Sequence, residues 1–306
     1  MATVLDGPEL AAPVPPVRAP RGRLRLNQVR SLLGTLPFFA YVTVFLVIPT
    51  LVVAIGAFAG DGGFTLANVT ALGDSYVLDA FGRSILLSAV TALLGAVLGA
   101  VLAYALATAR PGGLLRRIVT AASGVLAQFG GVTLAFAFIA TLGLSGFVTV
   151  FLRDNLGVDI YSGGVWLFEL PGLVLVYTYF QIPLMVIVFL PALDGIRPQW
   201  REATESLGGS TWQYWTKVAG PLLAPAFLGS TLLLFANAFS AYATAAALVS
   251  QGNPIVPLQI RSALTSEVVL GQQNLGKAMA LGMVVVVAVV MTLYALLQKR
   301  TARWLG

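Results

Sequence analysis

The side chains that do most protein chemistry are missing from this sequence. Its 306 residues contain no cysteine and no histidine. That removes thiolate and imidazole metal ligands, the usual general base, and every Ser-His or Cys-His pair. No metal site and no cofactor is expected, and an intramembrane enzyme is disfavoured because no carboxylates pair within the apolar stretches. What remains is neutral and polar. The densest set lies in Phe235–Leu248, FANAFSAYATAAAL. There Asn237, Ser240, Tyr242 and Thr244 stand among alanines small enough for close helix approach. On a helix Asn237, Ser240 and Thr244 share one face at i, i+3 and i+7, with Tyr242 displaced from it. Upstream come Tyr177, Tyr179 and Gln181, then Pro183, which frees a backbone carbonyl that a cavity can use. Gln128 stands alone. Such groups either glue helices together or line a wet path for a solute, and the sequence leaves both roles open.

The elements that must position them are membrane spans. Apolar residues make up 58% of the chain and charged residues 10%, against roughly 45–50% and about 25% in soluble domains. A mean hydropathy of +0.89 leaves too little polar surface to cover a water-facing globule. A crossing needs about 20 apolar residues, because the hydrocarbon core is roughly 30 Å thick. Six stretches without Asp, Glu, Lys or Arg are long enough: 31–60, 84–109, 118–152, 170–193, 218–260 and 278–298. They predict helices near 35–58, 84–108, 118–142, 170–191, 221–247 and 278–298. The excess in the third and fifth, FVTVFLRDNLGVD and SQGNPIVPLQI, reads as interfacial or re-entrant segments on the outer side. The expected fold is an all-α polytopic membrane protein.

Charge orients it. With the N-terminus inside, 14 of the 18 basic residues fall on the cytoplasmic side and only Arg83, Arg153, Arg261 and Lys277 outside. That asymmetry predicts both termini in the cytoplasm. Residues 1–30 carry Pro13, Pro15, Pro16 and Pro20, five arginines and no apolar period. They read as a disordered basic tail able to touch anionic membrane lipid; residues 31–306 form the six-span domain. The scattered basic residues report orientation, and no nucleic-acid partner is expected. A cleaved signal peptide is not expected, since the first apolar stretch is of full span length.

The cytoplasmic loop over 191–221 is the most informative segment. Pro198 suits a first helical turn, and Glu202 and Glu205 lie toward the N-terminal, dipole-favoured end of Trp200–Leu207. Gly208 and Gly209 stop that helix. A second turn follows with Trp212, Trp215 and Val218 on one side, and Gly220-Pro221 breaks the chain before the fifth span. Two short helices meeting at a glycine corner make a compact knob.

This loop resembles the EAA loop of binding-protein-dependent ABC importers: E-A-A, three residues, G, nine residues, I, one residue, L-P. Here stand Glu202-Ala203-Thr204, Gly208, Val218 and Gly220-Pro221. Glu202, Ala203, Gly208 and Pro221 match at the right spacing; Thr204, Val218 and Gly220 depart from the pattern. The resemblance extends over 31–306. It implies a type I importer permease fold (MetI-like) in which Glu202, Ala203, Thr204, Glu205, Gly208, Gly209 and Pro221 couple to a separate ATP-binding-cassette ATPase subunit. It further implies a second permease, a paralogue as the expected case, an extracytoplasmic solute-binding protein, and a prokaryotic plasma membrane. No Gly-x-x-x-x-Gly-Lys-Ser/Thr loop occurs, so ATP hydrolysis is assigned to another chain. Asn237, Ser240, Thr244, Tyr242, Gln181 and Tyr177 become the candidates for the translocation path. The runs YFQIPLMVIVFLPALDGI, NAFSAYATAAAL and NLGKAMALGMVVV resemble permeases for polyamine, opine and phosphonate uptake; sugar, glycerophosphate and ferric-ion importers share the architecture. An ion-coupled secondary transporter is the competing reading, but it usually carries intramembrane ionisable groups, and none lies inside these six spans. A channel does not explain the spaced loop.

Overall fold

The computed structural model describes residues 35–60, 62–110, 112–249, 255–265 and 273–302, with side chains as far as 296. The tail expected over 1–30 lies outside the described residues. Among those residues, six helical segments are long and apolar enough to cross a membrane: Thr35–Ala57, Ser75–Thr108, Gly131–Leu156, Leu170–Asp194, Thr211–Ser240 and Gln273–Leu296. The number and order match the sequence expectation. Residues up to Val52 form one unit and Val53 onward a second.

Helix α1 (Thr35–Ala57) contains a π turn over Thr43–Val47, and the Thr50 hydroxyl donates to the Leu46 carbonyl at 2.7 Å. A two-residue antiparallel hairpin follows, β1 (Ala59–Gly60) and β2 (Gly63–Phe64), with Ala59 opposite Phe64. After a short α2 (Ala67–Thr70) comes α3 (Ser75–Thr108), 34 residues long. It starts nine residues before the expected span at 84, because a charge-free run marks the apolar stretch and not the helix, which also includes the charged Asp79 and Arg83.

Helix α7 (Leu170–Asp194) is the hub, packed chiefly along α3. The two come close because α3 offers small residues. A Cβ added at Gly95 would lie 2.5 Å from the Gln181 Cβ, and one at Gly99 would lie 2.5 Å from the Met185 Cβ. In a bilayer, where apolar burial gives helices little reason to associate, such close backbone contact holds them together. Around this seam lie two apolar clusters, one with Leu134, Leu173, Val176, Phe180 and Leu248, the other with Ala96, Met185, Phe189, Leu223 and Leu234. A third joins the start of α3 to α12 (Val256–Thr265) and α13 (Gln273–Ala302) through Val77, Val256 and Met279.

Two expected spans are discontinuous. The third, expected as one helix over 118–142, is α4 (Leu114–Gln128) and α5 (Gly131–Leu142), separated at Phe129-Gly130. Adjacent Gly130 and Gly131 explain it. Glycine is a poor helix former, and Gly131 takes φ +75°, a left-handed conformation. The outer segment expected as interfacial instead folds as α6 (Phe147–Leu156), ended by Gly157 at φ +65°, and with α5 makes up the third segment long and apolar enough to cross, Gly131–Leu156. The fifth span, expected unbroken over 221–247, is α10 (Gly220–Ser240) and α11 (Ala243–Leu248), with Ala241 extended at ψ 105°. Thr244 therefore does not continue the helical face of Asn237 and Ser240. The re-entrant segment expected at SQGNPIVPLQI is described only from Ile255 onward, where it enters α12.

Candidate coupling loop and translocation path

The loop after α7 is built by local chemistry. Pro198 opens α8 (Pro198–Ser206) in its first turn. Arg201 Nε donates to Glu205 Oε1 at 2.9 Å, one turn apart, and this bond, with the Glu205 charge, raises the guanidinium pKa above its ordinary value. The helix ends where Gly208 donates to the Glu205 carbonyl at 2.9 Å and Gly209 to the Thr204 carbonyl at 2.8 Å. Gly208 has φ +76° with open space around it, so the backbone bend and not crowding requires glycine. Ser210 and Gln213 then form a reciprocal capping box, Ser210 N–H donating to Gln213 Oε1 at 2.8 Å and Gln213 N–H to Ser210 Oγ at 3.3 Å. That satisfies the first donors of α9 (Thr211–Tyr214). The sequence signal for this box, Ser followed three residues later by Gln, was present and unread.

Two expectations for this loop are corrected. Gly220-Pro221 does not break the chain: α9 passes through a π turn, Trp215–Ala219, into α10 without interruption. Pro221 sits in the first turn of α10, where the widened π turn precedes it. A Cβ at Gly220 would come 2.5 Å from the Trp215 carbonyl oxygen, so the residue that departs from the EAA pattern is the one the π turn needs. Nor do Trp212, Trp215 and Val218 share a side. Trp215 packs edge-on against Tyr104 on α3 at 5.3 Å, whereas Trp212 is 76% exposed. With Leu207, 89% exposed, Trp212 gives the corner an apolar tip, flanked by exposed Glu202, Ala203 and Glu205. An ion pair between Arg116 on α4 and Asp194 at the end of α7 fastens the loop's approach to the bundle.

The polar span residues divide. Tyr177, Gln181 and Thr244 are buried and bonded within the chain. The Tyr177 hydroxyl donates to the Ala241 carbonyl at 2.6 Å, at the break after α10. The Thr244 hydroxyl accepts from Gly131 N–H at 2.9 Å, at the break before α5. With its amide turned so that both ends are satisfied, Gln181 accepts from Thr91 at 3.0 Å and donates to the Leu234 carbonyl at 3.1 Å, joining α3, α7 and α10. So the two broken spans are tied to each other and to the hub. Asn237 and Ser240 are exposed on the last turn of α10, and Ser240 returns its proton to the Ala236 carbonyl at 2.9 Å. Tyr242, half-buried in the break, carries the Arg261 guanidinium 5.9 Å above its ring. Gln128 is exposed at the end of α4, and Tyr179 packs edge-on against Phe138. Sequence reasoning counted Arg261 only as an outer basic residue. No signal along the chain joins it to Tyr242, because the contact depends on how α12 folds back and not on any local pattern.

No family model matches the chain. Over 193 residues it is 29% identical to the putative ferric transport system permease protein FbpB 1 of Haemophilus influenzae, covering 62% of this chain and 30% of that protein. Over 175 residues it is 29% identical to the sulfate transport system permease protein CysT of Escherichia coli (strain K12), covering 56% and 58%. Over 119 residues it is 26% identical to the molybdenum transport system permease protein ModB of the same organism, covering 39% and 49%. The chain thus matches less than two thirds of the length of these relatives. Among solved structures, it superposes on a chain of a bacterial ABC transporter involved in the import of the acidic polysaccharide alginate. The TM-score is 0.69 at 18% identity, covering 92% of this chain and 99% of that one. A chain of the MetNI methionine ABC transporter gives 0.54 at 16% identity, covering 73% and 95%.

These likenesses define the class: a multi-pass, all-helical membrane protein with the type I fold of ABC-importer transmembrane subunits. The relatives that its sequence matches are named as permease proteins of transport systems.

Proposed function

We propose that the chain is the permease subunit of an ATP-driven importer, forming the path for a small solute and coupling it to ATP hydrolysis on a separate nucleotide-binding subunit. The observation that carries this reading is the corner at Gly208. A water-facing turn with a left-handed glycine, a capping box and two bare apolar side chains, Leu207 and Trp212, is costly to leave in water and well shaped to seat in a partner's groove. Glu202, Ala203, Thr204, Glu205, Gly208, Gly209 and Pro221 shape that corner and its exit into α10. The path runs past the paired breaks, where Asn237 and Ser240 are the exposed polar groups and Tyr177, Gln181 and Thr244 hold the backbone open.

A second permease subunit, a paralogue or a second copy, completes the path, and an extracytoplasmic binding protein delivers the solute. Both termini lie in the cytoplasm of a prokaryotic cell, and lipid surrounds the spans. The relatives' names carry ferric, sulfate and molybdenum transport, beside the polyamine- or phosphonate-like solute suggested by the resemblance of the sequence runs.

The test is affinity purification of the tagged chain from its native membrane, followed by solute-dependent ATP hydrolysis. A nucleotide-binding subunit should co-purify, and Gly208→Asp and Glu202→Ala should weaken its retention at matched expression. A folded chain that retains no nucleotide-binding subunit would end this reading. Reporters after Gly306 and near Asp154 should lie on opposite sides of the membrane.

A further inference from the structure

Resting on the path reading above, one charged group stands at the break in the fifth span. Arg261 lies on α12, exposed to solvent, with its guanidinium carbon 5.9 Å from the centroid of the Tyr242 ring. Tyr242 occupies the break itself, between the end of α10 at Ser240 and the start of α11 at Ala243. Two consequences follow from the chemistry of this stack.

A cation–π contact engages the charge of a guanidinium without using a hydrogen bond, so its N–H donors stay available. Those donors form a rigid fork that matches two oxygens of one oxyanion. The other consequence is exclusion. The Tyr242 ring face, which would otherwise attract an ammonium group, is already covered by a cation, and a polyamine approaching it meets like charge. Among the described residues, the ion pairs are Arg116–Asp194, Arg153–Asp154 and Arg201–Glu205; no carboxylate among them pairs with Arg261. Asn237 and Ser240 are exposed on the turn of α10 that precedes Tyr242 in the chain.

We propose that Arg261, seated on Tyr242 at the break, is a solute-binding residue and that the transported solute is a small oxyanion. The guanidinium gives charge and a two-pronged donor, and its contact with the tyrosine ring holds the side chain near the break before solute binds.

The experiment uses the chain purified with its ATPase, partner permease and binding protein and reconstituted in proteoliposomes. The probes are sulfate, molybdate and methylphosphonate, with ferric ion and spermidine as the opposing arms. At least one oxyanion should raise ATP hydrolysis and accumulate inside. Arg261→Gln should lower its uptake by roughly tenfold or more, the scale of one charge-assisted hydrogen bond, with assembly unchanged by gel filtration. Arg261→Lys should recover part of the loss, keeping the charge without the fork, and Tyr242→Ala, which removes the ring beneath the guanidinium, should lower uptake in the same direction as Arg261→Gln. Uptake of spermidine or ferric ion alone, or oxyanion uptake by Arg261→Gln at the wild-type rate, would overturn the oxyanion assignment and leave the permease reading standing. A chain that retains no ATPase would overturn both.

Discussion

The corner at Gly208 and the paired breaks at Gly131 and Ala241 are both places where a helix stops, and they stop in opposite ways. At the corner every bond that shapes the backbone comes from residues within five positions: Glu205 to Gly208, Thr204 to Gly209, Ser210 to Gln213. The side chains are left over, and Leu207 and Trp212 are exposed. At the breaks the shaping bonds come from far along the chain, Tyr177 to Ala241 and Gly131 to Thr244, and the side chains that make them are buried. A structure fixed locally can offer its surface to a partner without changing. A structure fixed by distant helices changes when those helices move. The first suits transmission of a push, the second suits a path that must respond to it.

The comparison is broken most directly at glycine. Gly208→Val places a β-branched side chain at φ +76°, a strain of roughly 1–2 kcal/mol or more, and should abolish uptake. Gly112, in the loop before α4, has the same φ of +76° and the same open surroundings. Gly112→Val carries a like strain and should retain most uptake. Equal losses in the two variants, measured as solute accumulation at matched expression, would mean that strain alone and not docking explains the corner. The apolar tip comes next. The pair Leu207→Ala and Trp212→Ala should release the ATPase subunit by roughly tenfold or more, the range of an interface anchor, while the thermal midpoint of the isolated chain stays put.

At the breaks the order of effects reverses, stability first. Tyr177→Phe leaves the part-buried Ala241 carbonyl without its donor, at a cost of up to about 1–3 kcal/mol. Thermal unfolding in detergent should register that loss, and the ATPase subunit should still co-purify. An unchanged midpoint would show that the bond to Ala241 does not hold the break.

What was legible in the sequence follows from the same division. Six spans could be read because hydrocarbon demands long apolar runs, and the corner could be read because Pro198, Gly208-Gly209 and the spacing from Glu202 act within a few residues. The break at Gly130-Gly131 was written in two glycines and was passed over inside an apolar run. The break after Ser240 has no local mark at all, since FANAFSAYATAAAL contains neither glycine nor proline and reads as helix throughout. Among the described residues, the bonds that hold it come from Tyr177 and Gly131, 64 and 113 positions away from their partners. The π turn before Pro221 is of intermediate kind: proline announced a disturbance, and read alone it suggested a stop instead of a widening.

The finest distinction lies within the fifth span, between residues the sequence grouped together. Asn237, Ser240 and Thr244 would share a face if the helix ran on. The break turns Thr244 inward to Gly131 while Asn237 and Ser240 remain exposed. Because Asn237 is exposed and its side chain makes no hydrogen bond among the described residues, Asn237→Ala should move stability by no more than about 0.5 kcal/mol and should alter uptake of the solute. Thr244→Val should do the opposite, leaving Gly131 N–H without an acceptor and lowering the thermal midpoint before it touches solute preference. The chain has no native cysteine, so the same division can be mapped directly with single cysteines and a water-soluble thiol reagent in the assembled transporter. Cysteines at 237 and 240 should react in at least one nucleotide state, and solute should slow the reaction if they line its path. A cysteine at 244 should resist in the resting state and become reactive only if transport separates the two broken spans. Uniform protection at all three positions would take the path away from the fifth span, and uniform reactivity would mean that the bond from Gly131 to Thr244 does not hold the breaks together.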